Sequence, residues 1–469
     1  MRSKIADIRT LLPRASATFW VLCVLLVACF VLGGSARGNV ASLMILRPIS
    51  ALLLGFGLWR LQMAQVKEHW FLVALALAIL AVPAFQLIPL PPEVWSRLPG
   101  RGLVEEIDRV AGLGHVWRPL SLTPDATLNA LYAAIVPFTA LVLGIQLGAE
   151  ERSRLLPLVL VLCGISALLG LLQTLGDPNG PLYFYTVTNN GSAVGLFANR
   201  NHQALVLAMM LPMLALLVRG HGTRTGARQL VALATGLALL PLILITGSRA
   251  GLAVAGVAIP AIPFILGRDQ QTATEAPPAR TRWSLAAPYA GQVGMVLAGT
   301  CLIALTIWLG RDVAWDRLLA AETAGDARVK ILPTLLSMIQ GYAPAGSGMG
   351  SFMQVYQVHE PDALLTTTYM NHAHNDWLEV LLDGGAVSVL LLGIAIIGFL
   401  LRTKRAFAAR AAASPAVQYA RLGLVMVLLA ALASASDYPL RVPSLASLFV
   451  LAALWASCTL PKSQPLDAL

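Results

Sequence analysis

Charge is scarce in this chain. Only 12% of its 469 residues are Asp, Glu, Lys or Arg, while 57% are hydrophobic; a soluble domain carries about 25% charged residues. That leaves too little polar surface to cover a water-soluble core, so lipid is the solvent the composition calls for. Cysteine is scarce as well. Cys23, Cys29, Cys163, Cys301 and Cys458 lie in or beside apolar runs. They form no Cys-x-x-Cys pair and show no metal-ligand spacing, which excludes a disulfide framework and leaves buried, inert thiols. Several catalytic signatures are missing too. Gly346-Ser347-Gly348-Met349-Gly350-Ser351 is glycine-rich but lacks the Lys-Ser/Thr ending of a phosphate-binding P-loop. No Gly-x-Ser-x-Gly elbow occurs, nor an Asp-x-Asp pair to hold a metal–nucleotide-sugar complex.

What the chain has is apolar runs from end to end. A membrane span needs about 20 mostly apolar residues. Such runs fall near 17–34, 40–58, 70–90, 128–147, 155–175, 203–218, 229–246, 249–267, 287–309, 377–401, 419–436 and 443–460. The fold class expected is therefore all-α and polytopic, with about twelve transmembrane helices in one membrane domain over 1–469. Arg2, Lys4, Arg9 and Arg14 precede the first run, which is longer than the roughly 7–15 apolar residues of a cleaved signal and reads as an uncleaved anchor.

The net charge of +10 is spread over short loops, so nucleic acid is not expected as a partner. With the N-terminus in the cytoplasm, the inside loops carry Arg60 and Lys67, then Arg152 and Arg154, then Arg219, Arg224 and Arg228. Arg268, Arg280 and Arg282 follow, and finally Arg402, Lys404, Arg405 and Arg410. Each short inside loop is basic, as the positive-inside rule requires, and an even span count returns the C-terminus to the cytoplasm. The outside segments are then about 91–127, about 176–202, and a large loop at 310–376. The glycine-rich segment in that loop is expected to lead into a short amphipathic helix.

This topology collects the unusual polar residues at one membrane face. Arg200, Asn201 and His202 sit at the mouth of the sixth span, and Arg249 in the tight turn before the eighth. His372, His374, Asn375 and Asp376 lie just ahead of the tenth; Asp437 and Arg441 lie between the last two. Snorkelling to lipid headgroups fits Arg249 and Arg200 as well as a binding role does. Asp376 and Glu379 match an Asp-x-x-Glu capping box. His372 and His374 could share zinc, but no third ligand has an obvious spacing, and no metal or cofactor is expected. Arg47, within the second span, is an intramembrane cation suited to a lipid phosphate or a bundle cavity. As a site, the outer cluster fits displacement of a lipid pyrophosphate. Arginine forks match phosphate oxygens, and an imidazole near neutral pH can take a proton from an acceptor hydroxyl.

Four segments carry a family resemblance. Gly195-Leu196-Phe197-Ala198-Asn199-Arg200-Asn201-His202 resembles a Gly-x-Phe…Asn-x-Asn motif. Thr246-Gly247-Ser248-Arg249-Ala250-Gly251 resembles a Ser-Arg-Gly/Ala turn. Pro344 to Phe352 is similar to a Gly-x-Gly-x-x-Phe stretch, and His372 to Leu378 to a His-Asn-x-x-Leu segment continuing to Gly384-Gly385. In order, spacing and side of the membrane these resemble the O-antigen ligase and O-antigen polymerase superfamily of bacterial envelope glycosyltransferases.

The resemblance implies a GT-C-like fold in the bacterial inner membrane with a periplasmic active site. It implies an undecaprenyl-diphosphate-linked glycan as donor and inverting, metal-independent transfer. The acceptor would be lipid A core for a ligase, or a second lipid-linked glycan for a polymerase. Carried over by residue, His374 would be the base, with His372 beside it. Arg249, Arg200, His202, Arg328, Asn201, Asn375 and Asp376 would contact pyrophosphate or glycan. The Asn-Arg-Asn-His form is closer to exopolysaccharide-type members, which favours a polymerase. The competing reading is a transporter or flippase of the same lipid-linked glycans. Against it, the distinctive polar residues sit at the outer ends of the spans rather than at the midplane.

Overall fold

The structure, a computed structural model, describes residues 15–218, 225–266, 324–408 and 414–458. The expected span at 287–309, the inside loop at 268–284 and Cys301 lie outside the described residues, as does the first part of the 310–376 loop.

Every other expected span has a helix. They are α1 (Ala17–Leu32), α2 (Leu43–Arg60), α3 (Trp70–Gln86), α4 (Pro124–Gly144), α5 (Ala149–Leu175), α6 (Arg200–Val218), α7 (Thr225–Ile245) and α8 (Arg249–Leu266). After two helices of the long loop, α9 (Ala324–Tyr342) and α10 (Phe352–His359), come α11 (Asp376–Ala408), α12 (Pro415–Ser434) and α13 (Pro443–Ala456). Seven of them are long and apolar enough to cross a bilayer by length and composition, and four shorter apolar helices accompany these. The chain is an all-α polytopic membrane protein. In lipid a backbone polar group must be satisfied within its own segment, and the helix does this.

The starts of the helices follow local chemistry. Ser16 Oγ accepts from Phe19 N (3.1 Å) and caps α1. Ser248 Oγ accepts from Gly251 N (2.9 Å) and caps α8. Pro124, Pro415 and Pro443 open α4, α12 and α13, where a missing N–H costs nothing. Of the spanning segments α6 is the most enclosed, with 72% of its apolar window buried. It packs against α5, α7, α8 and α12, so its apolar residues run all round rather than along one stripe. By contrast α11 leaves Val387, Leu390, Ile397 and Leu400 on the outside, an apolar surface that suits lipid. Cys29, Cys163 and Cys458 are buried free thiols and Cys23 is half-buried.

The loops gather at one end of the bundle. A two-residue ribbon pairs Pro89 with Pro119 and Leu90 with Arg118. Arg101 is fully buried there and donates to the carbonyls of Pro99 (2.7 Å), Leu120 (2.6 Å) and Gly346 (2.9 Å). This stitches segment 91–127 to the glycine-rich stretch. The stretch itself docks on a break in α11 at Gly385, whose φ and ψ are 56° and −143°. Ala386 N donates to Pro344 O (2.9 Å), Ser347 N to Leu382 O (3.0 Å) and Gly348 N to Asp383 O (2.9 Å). A Cβ at Gly385 would lie 2.1 Å from Pro344 O, so glycine is required on both conformational and steric grounds. A small separate core, including Leu335, Tyr342, Phe352, Tyr356 and Leu382, holds α9 and α10 over this joint.

Candidate functional site

Asp437, in the turn between α12 and α13, is 2% exposed and gathers donors from three parts of the chain. Its Oδ2 accepts from Asn199 Nδ2 (2.9 Å) and Asn201 Nδ2 (2.6 Å). Its Oδ1 accepts from the Tyr438 N–H (3.0 Å) and lies 3.2 Å from His374 Nδ1. Burial alone would raise this carboxyl. The hydrogen bonds from His374 and Asn201, and the neighbouring imidazoles of His202 and His374, outweigh burial and hold it well below the usual carboxylate range. Asp437 is thus a carboxylate. His374 Nδ1 must therefore carry the proton that bonds it, which leaves Nε2 as the basic nitrogen.

Local sequence sets both sides of this contact. Asn199 precedes α6 and its Oδ1 accepts from Asn201 N (2.9 Å). That cap fixes the amide so that Nδ2 faces Asp437. His374 has φ of 50°, the positive value for a non-glycine among the described residues. A left-handed backbone costs a non-glycine about 1–2 kcal/mol and persists where surrounding contacts over-determine it. Here the flanking residues are both committed. Ala373 N donates to Glu379 Oε2 (2.7 Å), and Asn375 Oδ1 accepts from Leu378 N (3.2 Å).

The second half of the site is a buried ion cluster. Arg441 Nε bonds Asp376 Oδ1 (2.7 Å), and its Nη2 lies 3.1 Å from Glu379 Oε1 and 3.7 Å from Asp383 Oδ2. Burial disfavours the guanidinium charge, but Glu379, Asp376 and Asp383 more than offset it and hold the group charged. Glu379 also takes His372 Nδ1 at 2.8 Å. Asp383 reaches the docked loop, accepting from Gly350 N (3.0 Å) and Ser351 Oγ (3.3 Å). Between the two halves stands Tyr438. Its ring centre is 4.3 Å from that of His372, 5.0 Å from His374 and 5.4 Å from His202. Burial, helped by Asp437, pushes its phenol up to about 12, so it is neutral.

A cavity of about 260 Å³ opens beside these groups; Arg37, Asn199, Arg200, Asn201, His202, Asn371, His374 and Tyr438 line it. Among the described residues its wall carries cations, imidazoles and amides, and no carboxylate.

The structure therefore brings together Arg200, Asn201, His202 and His374, with His372 and Asp376 directly behind. Arg249 is exposed at the start of α8 and does not line this cavity, although the next two residues, Ala250 and Gly251, border a small adjoining void with Asn201, His202 and Asp437. The side chain of Arg328, in the first turns of α9, lies outside the described residues. One local assignment is corrected. Asn375, not Asp376, caps α11, because Asp376 is drawn to Arg441 and Glu379 to His372 and Ala373. The His372–His374 pair does not converge on one point, since each imidazole faces a different carboxylate. The sequence places Asp437 and Arg441 in the outer cluster without a role, and leaves Tyr438, Glu379, Asp383 and Arg37 out of it. An acidic and a basic residue in one short turn between apolar spans were the signal for Asp437 and Arg441.

Residues 233–393 match the family of O-antigen ligases. The matched stretch holds Arg249, Arg328, His372, His374, Asn375 and Asp376, and stops short of Asp437. Among curated proteins, none matches the chain. The family match supports the O-antigen ligase and polymerase superfamily and, with it, a glycosyltransferase-like membrane protein of the glycan ligase or polymerase kind.

Proposed function

We propose that this protein moves a glycan from an undecaprenyl-diphosphate carrier to an acceptor hydroxyl at the periplasmic face of the bacterial inner membrane, with both termini in the cytoplasm. The observation that carries the reading is His374, which faces a cationic cavity with Asp437 on its far nitrogen. His374 Nε2 takes the proton of the acceptor hydroxyl, and Asp437 stabilises the imidazolium that forms. The hydroxyl oxygen attacks the anomeric carbon from the side opposite the pyrophosphate, so the C–O bond to pyrophosphate breaks as the new glycosidic bond forms and the configuration inverts. Arg200 and Arg37, in the same wall, stabilise charge on the departing pyrophosphate. Arg249, one residue from the adjoining void, grips the pyrophosphate as donor enters, and Arg328 contacts donor from the loop. Asn201 and His202 shape the floor; His372, Asn375 and Asp376 act from behind, by holding Tyr438, the start of α11 and Arg441. The pyrophosphate is already an activated leaving group, so no nucleotide or metal is required. One membrane domain, with 310–376 as its periplasmic lid, is the organisation this reading implies. Transport of the same lipids is the competing reading. The strained, carboxylate-backed histidine favours chemistry over it.

The test is a reconstituted assay with an undecaprenyl-diphosphate glycan, a chelator and no nucleotide, offering lipid A core and a second lipid-linked repeat as acceptors. Transfer to the lipid-linked repeat is expected, and its loss in His374→Ala while donor binding survives. Donor moved across the bilayer with no product on either acceptor would overturn the reading.

A further inference from the structure

A second cavity, of about 500 Å³, lies on the flank of the bundle between the first halves of α2 and α4. Its lining is mostly apolar, with Val40, Leu43, Met44 and Ile135 among the walls, and among the described residues its one cation is Arg47. Its size falls within the range of small-molecule sites. Met44, on its rim, is 76% exposed, so the cavity opens outward beside an apolar helix face. The Arg47 Nε is buried and makes no hydrogen bond among the described residues. A cation within an apolar span is costly unless an anion meets it, and a guanidinium is shaped for phosphate oxygens.

The position of the cavity says which phosphate. One unbroken strand of chain divides it from the catalytic cavity. Ser35, Ala36 and Arg37 line the His374 side, and the next residues, Gly38 to Ala41, line the Arg47 side. The divider is thin because Gly38 lies directly on α4: a Cβ there would be 2.8 Å from Asn129 Nδ2. An amphiphile lying in the apolar cavity with its head towards this wall has arginines on both sides of it.

We infer that the Arg47 cavity is the seat of the lipid end of a polyprenyl-phosphate substrate, with its first isoprene units against α2 and α4 and its phosphate on the Arg47 fork. The inference rests on the lipid-linked donor proposed above.

Its test needs no transfer. The protein is placed in phosphatidylcholine nanodiscs with a photoreactive short-chain polyprenyl monophosphate, and the site of capture is mapped. Label on residues 40–51 or 132–135 is expected. Arg47→Met should lower capture at least ten-fold and Arg47→Lys should restore part of it. Ala51→Trp, which fills the cavity and leaves the cation alone, should lower capture as well, and it decides the matter if Arg47→Met melts early. Unchanged capture in a folded Arg47→Met protein would overturn the inference. So would displacement of the probe by phosphatidylglycerol as readily as by unlabelled polyprenyl phosphate, which would make this a general site for anionic lipids. Capture that survives when no acceptor yields product would strike the transfer reading and leave this one standing.

Discussion

Replacing Asp437 by Asn removes one negative charge and almost no volume. Its effect can be worked out bond by bond. The present Oδ2 accepts from two amides, Asn199 at 2.9 Å and Asn201 at 2.6 Å. An NH2 group placed there would face two donors. Two donors on that side outnumber the single Tyr438 N–H on the other, so the new Asn keeps its oxygen there and turns its NH2 towards His374, now 3.2 Å from Oδ1, leaving the Tyr438 N–H without its acceptor at 3.0 Å. His374 Nδ1 then has to accept, its proton moves to Nε2, and the nitrogen facing substrate is no longer a base. The same inversion of a tautomer in the serine-protease triad costs about 10⁴ in kcat, and general base catalysis contributes about 10²–10⁴ overall. We expect Asp437→Asn to lower kcat by about 10²–10⁴, or about 2.7–5.5 kcal/mol of barrier. Donor binding should be little changed, because the phosphate-facing arginines remain. Initial rates on reconstituted protein, with donor affinity measured separately, give the split. In the double variant with His374→Ala, the rate should be no lower than in His374→Ala alone, since the two act as one unit. Transfer within about three-fold of native in a folded Asp437→Asn protein would refute the dyad.

Three further outcomes are expected. Arg441→Met leaves Asp376, Glu379 and Asp383 buried without their cation, and should lower stability by about 3–5 kcal/mol in thermal melts of the solubilised protein; a melt within error of native would contradict the cluster. Gly385→Ala combines a positive φ with a Cβ 2.1 Å from Pro344 O. It should cost at least about 1–3 kcal/mol and make the 344–351 segment more open to limited proteolysis, whereas Ala at Gly393, where a Cβ meets nothing within 4 Å, should be silent. The Asp437 carboxyl is depressed in the folded state. Its contribution is therefore complete above the unfolded value of about 3.9 and is lost as pH falls through the lower, folded one. The stability gap between native and Asp437→Asn protein should not narrow between neutrality and about pH 5 and should close only in stronger acid; a gap that closed near pH 6 would contradict the assigned charge state.

The spans were legible because a bilayer imposes a length and a composition that few other demands imitate. Each described apolar helix lies where an apolar run of the sequence put it. The residue types at the site were legible for a related reason. Cations and imidazoles at the ends of apolar runs are expensive ornaments, and Asn201, His202 and His374 do meet in one wall. The pairings were not legible. Asp437 lies 236 residues from Asn201 and 63 from His374, and no local spacing couples residues across such distances. The capping box failed because it is a local rule, and Arg441 and His372 outbid it from elsewhere in the fold. Arg249 shows the limit from the other side. Its motif places it at the correct end of α8 and leaves its side chain exposed rather than in the cavity wall.

The joint between the long loop and α11 is made almost wholly of main-chain atoms, with glycines at the contact and Asp383 as the clasp. Val329, Leu332 and Leu336 on α9 and Val358 on α10 stand outside that joint, exposed. Substitutions at those positions leave the clasp and the His374–Asp437 pair untouched. A scaffold of this kind can change its outward face without being rebuilt, in the way a lathe accepts new tool bits on an unchanged bed.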